Sequence, residues 1–74
     1  MSKCSLTAFI TREGNGFVSL CPELDIASQG KTVEEASANL QEAVELFFEC
    51  ADAQEITSRL TGEVFISRFE AAYA

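Results

Sequence analysis

Between residues 33 and 51 the apolar side chains of Val33, Ala36, Leu40, Ala43, Val44, Phe47, Phe48 and Ala51 recur at steps of three and four. That spacing places them on one face of an amphipathic helix, and it is the clearest structural signal in the chain. It predicts a single helix of about five turns over 33–51. Its start is marked as well. Thr32 can accept from the backbone N–H of Glu35, and the Glu35 side chain can reach back to the N–H of Thr32. Glu34 and Glu35 also suit the positive end of the helix dipole. With 74 residues in all, the chain has room for one small domain, spanning 1–74, and its one long helix must find its core in what surrounds it. A domain this short buries only about 60% of the surface of its unfolded chain, so a disulfide, a metal or a partner subunit commonly makes up the difference.

The flanking segments change to a period of two. Residues 4–12 read CSLTAFITR, with Leu6, Ala8 and Ile10 alternating with Ser5, Thr7, Phe9 and Thr11, which predicts a strand. Glu13-Gly14-Asn15-Gly16 supplies the positive-φ positions of a tight hairpin turn. FVSLC at 17–21 is the returning strand, stopped by Pro22, which cannot donate to a ladder. A third, weaker strand is expected near 25–29, ended by Gly30. After the helix, residues 53–60 have short helical potential, Gly62 breaks the chain, and EVFISRF at 63–69 reads as a last strand. The fold class is α+β, in the order β-β-β-α-β: a three- to four-stranded, antiparallel-rich sheet with one helix on one face.

One helix leaves one sheet face bare. The stripe of Val33, Leu40, Val44 and Phe47 is expected to pack on Leu6, Ala8, Ile10, Val18 and Leu20. The other face then carries Phe9, Phe17 and one register of the last strand, Phe65 or Ile66. Aromatic side chains on an open face, beside an apolar edge strand, are met by self-association. Phe9, Phe17, Phe65 and Phe69 are therefore the expected oligomer face of a homodimer or higher assembly, the alternative being that these rings fold over a corner within one chain.

Charge and composition exclude several classes of function. Twelve acids against five bases give a net charge of −7 with no histidine, and the bases Lys3, Arg12, Lys31, Arg59 and Arg68 are scattered. Direct nucleic-acid binding needs clustered Lys and Arg. The usual general base for a Ser, Thr or Cys nucleophile is missing. Gln29-Gly30-Lys31-Thr32 contains Gly-Lys-Thr, but the earlier glycine of a phosphate loop is absent between Pro22 and Gln29, so it reads as a strand end and an N-cap. Hydrophobic residues at 47% are too many for a disordered tail. No run approaches the ~20 apolar residues of a membrane span, and no apolar run of signal-peptide length precedes Arg12 and Glu13. A cytoplasmic protein is expected. Cys4, Cys21 and Cys50 are odd in number and widely spaced, with no CxxC pair. They read as small, mostly buried apolar residues rather than redox or metal groups. Lys3 beside Cys4 does not alter that, because adjacent side chains on a strand point to opposite faces.

The remaining candidate site is acidic. Glu42, Glu45, Glu49 and Asp52 step by three, four and three, so a helix would place them on one face. Three readings stay open: a solvated stripe, a face for a basic partner, or a divalent-metal site. Metal ligation would need convergence from another element. No metal and no cofactor is expected.

The segment from Gly16 to Glu49 also resembles the HicB family of antitoxins. The resemblance rests on Gly16-Phe17-Val18, Cys21-Pro22-Glu23-Leu24, Gly30-Lys31-Thr32-Val33-Glu34-Glu35-Ala36 and Asn39-Leu40-Gln41-Glu42-Ala43-Val44-Glu45-Leu46 taken together. It covers roughly residues 5–50, and the EVFISRFE ending is similar to that of short members. The resemblance implies a partial ribonuclease-H-like fold, homo-oligomers, and an antitoxin that masks a small basic RNA-cleaving toxin of the HicA type. It implies no catalysis. The first strand of a true ribonuclease H carries a metal-binding aspartate, whereas CSLTAFIT contains no acid. Many members continue into a C-terminal DNA-binding domain. Here the sequence ends at Ala74, so the expectation is a short member without direct operator binding.

The functional expectation is a non-enzymatic binding protein of a type II toxin–antitoxin system, with Glu42, Glu45, Glu49 and Asp52 facing the basic toxin. The alternative is an orphan homo-oligomer that binds a small ligand or acts as an adaptor. A metal-dependent ribonuclease is the third and weakest reading.

Overall fold

The computed structural model describes residues 4–74. Lys3, placed beside Cys4 in the sequence reading, lies outside them. In chain order the elements are β1 (Phe9–Glu13), β2 (Gly16–Cys21), β3 (Ile26–Gly30), α1 (Val33–Cys50) and α2 (Ala53–Leu60). The three strands form one antiparallel sheet in the order β1-β2-β3. The fold is α+β, with the sheet packed against α1.

The β1–β2 turn fixes the geometry of the sheet. Gly14 takes a φ of +60° as the first of two turn residues, the position where a hairpin turn of the II′ kind requires glycine. The second glycine, Gly16, serves a different purpose. It pairs with Glu13 at the base of the hairpin, and a Cβ there would lie 2.9 Å from the Gly30 carbonyl oxygen. A two-residue loop leaves one register: Arg12 opposite Phe17, Thr11 opposite Val18, Ile10 opposite Ser19 and Phe9 opposite Leu20. Across β2 and β3, Ser19 faces Ser28 and Cys21 faces Ile26.

That register corrects the expected facing of β2. Directly paired residues share a sheet face. Ile10 therefore lies on the same face as Ser19 and Ser28, and it is Ser19 and Cys21, not Val18 and Leu20, that are buried beneath α1. Val18 and Leu20 lie on the opposite face with Phe9 and Ala27. Phe17 is also displaced from its expected place. It shares the helix side with Arg12, whose guanidinium stands 4.7 Å over the Phe17 ring.

Small residues let α1 sit close. Ser19 Oγ donates to the Ala36 carbonyl at 2.9 Å, and Ser19 and Ala36 are both fully buried. A Cβ on Gly30 would meet the Ala36 nitrogen at 2.4 Å, so backbone meets backbone here with no room for a side chain. Asn39 Nδ2 adds a 2.7 Å bond to the Gln29 carbonyl. At the other end of the helix the contacts are large and apolar. Cys21, Leu24, Leu40 and Val44 form the buried core, with Leu6, Ile26, Phe47 and Phe48 packed around it. Leu40, Val44 and Phe47 thus pack as expected, but Val33 is exposed because it precedes the turn that first meets the sheet.

The C-terminal part departs most from expectation. The helical potential at 53–60 is realised as α2, whose Arg59 donates to the Leu24 carbonyl and stands 4.9 Å over the Phe47 ring. Residues 63–69, expected as a last strand, form no strand. They run unpaired, and the sheet stays at three strands. A strand needs a neighbour for its backbone groups, and no strand of this chain's own sheet pairs with the segment.

Candidate functional site

The helix start is built as the sequence suggests, with one shift. Thr32 Oγ1 accepts from Glu35 N at 3.0 Å, while the Glu35 carboxylate accepts from Lys31 N at 2.9 Å rather than from Thr32 N. The azimuth of α1 is set further along, where Ala36 accepts from Ser19 and Asn39 donates to Gln29. With Ala36, Leu40 and Val44 turned to the sheet, Glu42, Glu45 and Glu49 are turned to solvent, and all three are exposed.

Asp52 does not belong to that stripe. α1 ends at Cys50, and Asp52 is the N-cap of α2, its carboxylate accepting from Glu55 N at 2.8 Å. The three-residue step from Glu49 holds only while the helix continues, and here it stops first. Glu45 accepts from Gln41 Nε2 at 3.4 Å, and no side-chain hydrogen bond engages the carboxylates of Glu42 or Glu49 among the described residues. The stripe is therefore three carboxylates on a helix with no basic residue in its last turn. Glu49 lies in that turn, against the negative end of the helix dipole, where a carboxylate is unfavourable and a cation favourable. Like charges at i, i+3 and i+4 add to the cost. Among the described residues, no three acids, cysteines or histidines converge to hold a metal ion.

The expected oligomer face is dispersed. Phe9 is 39% exposed on the open sheet face, Phe17 lies on the helix side, and Phe65 and Phe69 are each 86% exposed beyond α2. Cys21 alone of the three cysteines is buried, and Cys4 and Cys50 are exposed, so the expectation of mostly buried thiols holds for one.

A further polar centre escaped sequence reasoning. The Glu23 carboxylate accepts from Thr7 N at 3.1 Å, from Thr7 Oγ1 at 2.6 Å and from Cys21 Sγ at 3.5 Å. It clamps the segment before β1 to the β2–β3 turn, in which Asp25 takes a left-handed φ of 55°. Partial burial alone would raise the Glu23 pKa, but the bonds from Thr7 outweigh it and hold the carboxyl below its usual range. Cys21 moves the other way. Burial pushes its thiol up, and the Glu23 carboxylate beside it adds to the rise, so this cysteine stays a thiol. The available signal was Pro22-Glu23, an acid directly after the strand-ending proline, but its partner Thr7 is 16 residues away.

No helix among the described residues is long and apolar enough to cross a membrane. No protein-family model matches the chain, and no solved structure matches it significantly. It is 34% identical over 70 residues to a UPF0150 protein of Helicobacter pylori (strain J99), a match that spans 93% of this chain and 97% of that protein.

Proposed function

The chain belongs to the UPF0150 family, and from that premise we propose that it acts as a HicB-type antitoxin, binding a small basic HicA-type RNA-cleaving toxin and occluding it. The observation that carries the reading is the exposed row of Glu42, Glu45 and Glu49 on α1, within a chain of net charge −7. The row is held at a cost to the free protein, since like charges neighbour one another and Glu49 faces the wrong end of the dipole. A cationic partner removes both penalties on docking. Charge complementarity of this kind speeds encounter, and apolar contacts hold the complex. Asp52 caps α2 and lies outside the row. The reading assigns no catalysis to the chain, and it includes self-association through apolar surface.

The test is protection of RNA. A HicA-type ribonuclease is titrated with the purified chain at low and at high salt. Cleavage is expected to stop near one equivalent, with weaker inhibition at high salt. Replacing Glu42, Glu45 and Glu49 together by Lys should weaken inhibition at least tenfold, about 1.4 kcal/mol of binding free energy. Unchanged inhibition by that triple variant would reduce the row to solvated surface. No inhibition by the wild-type chain would leave the orphan oligomer, as ligand binder or adaptor, as the better reading.

A further inference from the structure

The chain exposes far more surface than its mass requires. Its accessible area is 6205 Å². A compact monomer of 8.0 kDa exposes roughly 4,450 Å², so about 1,750 Å² is in excess. The radius of gyration agrees, at 14.5 Å against about 11 Å for a compact chain of this length. The three most exposed large apolar side chains, Phe65, Phe69 and Tyr73, lie beyond α2. There Val64, Phe65, Ile66, Phe69 and Tyr73 are all exposed on a segment without helix or strand pairing, the two phenylalanines at 86%. An excess of that size in each of two chains matches what obligate homodimers bury, about 2,000–5,000 Å² in total.

We propose that residues 63–69 of one chain complete the sheet of a second copy, adding as a fourth strand beside β1. The proposal rests on the self-association included in the functional reading and names its means.

Three observations select β1. It is an edge strand, with its outer row of backbone donors and acceptors unpaired. It carries an apolar residue on each face, Phe9 on the open side and Ile10 on the helix side, whereas the open side of the other edge strand, β3, offers only Ala27 and Gln29. The incoming segment is likewise apolar on both parities, Val64 and Ile66 on one and Phe65 and Phe69 on the other. With Phe65 and Phe69 on the open side they extend the row of Phe9 and Leu20, and Val64 and Ile66 then extend Ile10 on the side where α1 leans away from β1 towards β3. This arrangement turns a liability of two chains, a free edge and an unpaired apolar segment, into one ladder.

The test reads mass and proximity separately. Light scattering on the wild-type chain is expected to give twice the chain mass, and on Phe65→Asp/Phe69→Asp the mass of one chain with its circular dichroism kept. For proximity, Cys4 and Cys50 are replaced by Ser, and chains carrying Thr11→Cys are mixed with chains carrying Ser67→Cys. Both positions are mid-segment and on the open side, so either strand direction brings them together. Oxidation should give the mixed Thr11→Cys/Ser67→Cys dimer as the main product. A wild-type monomer at high concentration overturns both this inference and the self-association behind it. A dimer that keeps its mass in the Asp variant, or that cross-links Ser67→Cys only to itself or to Ala27→Cys, overturns the strand exchange alone. If the Asp variant does not fold, the cross-link decides. RNA protection is scored independently, so failure of the toxin-binding role is not confused with failure here.

Discussion

The part of the molecule between Leu6 and Cys50 and the part beyond it use apolar residues in opposite ways. In the first, each large apolar side chain on the inner faces has found neighbours, and the buried polar groups are paired. Ser19 donates to the Ala36 carbonyl and Glu23 gathers three donors, and among the described residues no buried side-chain polar atom is left without a partner. In the second, α2 has no buried residue, and the segment after it displays its apolar residues to solvent. The helix covers one sheet face, the face of Phe9, Val18 and Leu20 stays open, and the residues beyond α2 pack on neither. The difference is one of partners: the inner apolar residues have theirs within the chain, and Phe65, Phe69 and Tyr73 do not.

Three substitutions break or sharpen this contrast. The largest effect is expected at Leu40, 4% exposed in the core. Leu40→Ala should cost about 3 kcal/mol in urea unfolding, the removed methyl groups plus the cavity they leave. An intermediate effect is expected where the two parts are joined. Arg59 donates to the Leu24 carbonyl and reaches Glu55 at 3.6 Å, half in solvent. Arg59→Ala should lower stability by about 1 kcal/mol, and amide exchange should quicken in α2 while β2 and the middle of α1 keep their protection. Uniform quickening would mean that the two parts unfold as one.

The smallest effect is one of pH. The Glu23 carboxyl titrates below its unfolded value, so its contribution is present above the unfolded pKa and is lost as pH falls through the folded one. Below pH ~4.3, the ordinary glutamate value, wild-type stability should therefore decline more steeply than that of Glu23→Gln. Parallel acid-unfolding profiles for the two proteins would show that the clamp carries no net stabilisation.

Much of this fold was legible residue by residue. The step of three and four from Val33 onward located α1 to within a residue at its C-terminal end, and Thr32 with Glu35 marked its start. Gly14 marked the hairpin, and the polar stretch at 53–60 marked α2. The facing of β2 was misread because Val18 and Leu20 are the more hydrophobic pair, yet the turn itself held the answer. A two-residue loop at 14–15 places Ile10 opposite Ser19, so the side chains joining Ile10 on its face must be the odd-numbered ones of β2. Of the candidate site, Glu42, Glu45 and Glu49 were legible because helical spacing is local. Asp52 was not, since its role depends on where α1 stops.

What the sequence determined by itself is what neighbours along the chain can encode: the periods of two and of three and four, the capping threonine, the glycine turn and the surplus of acid. Tertiary structure decided the rest. It chose Ser19 and Cys21 for burial because the helix backbone can approach only where residues are small. It gave Glu23 to Thr7 because chain reversal brings them together across 16 residues. It left 63–69 without a partner in its own chain, because pairing a strand depends on an edge that the sequence of that strand cannot supply.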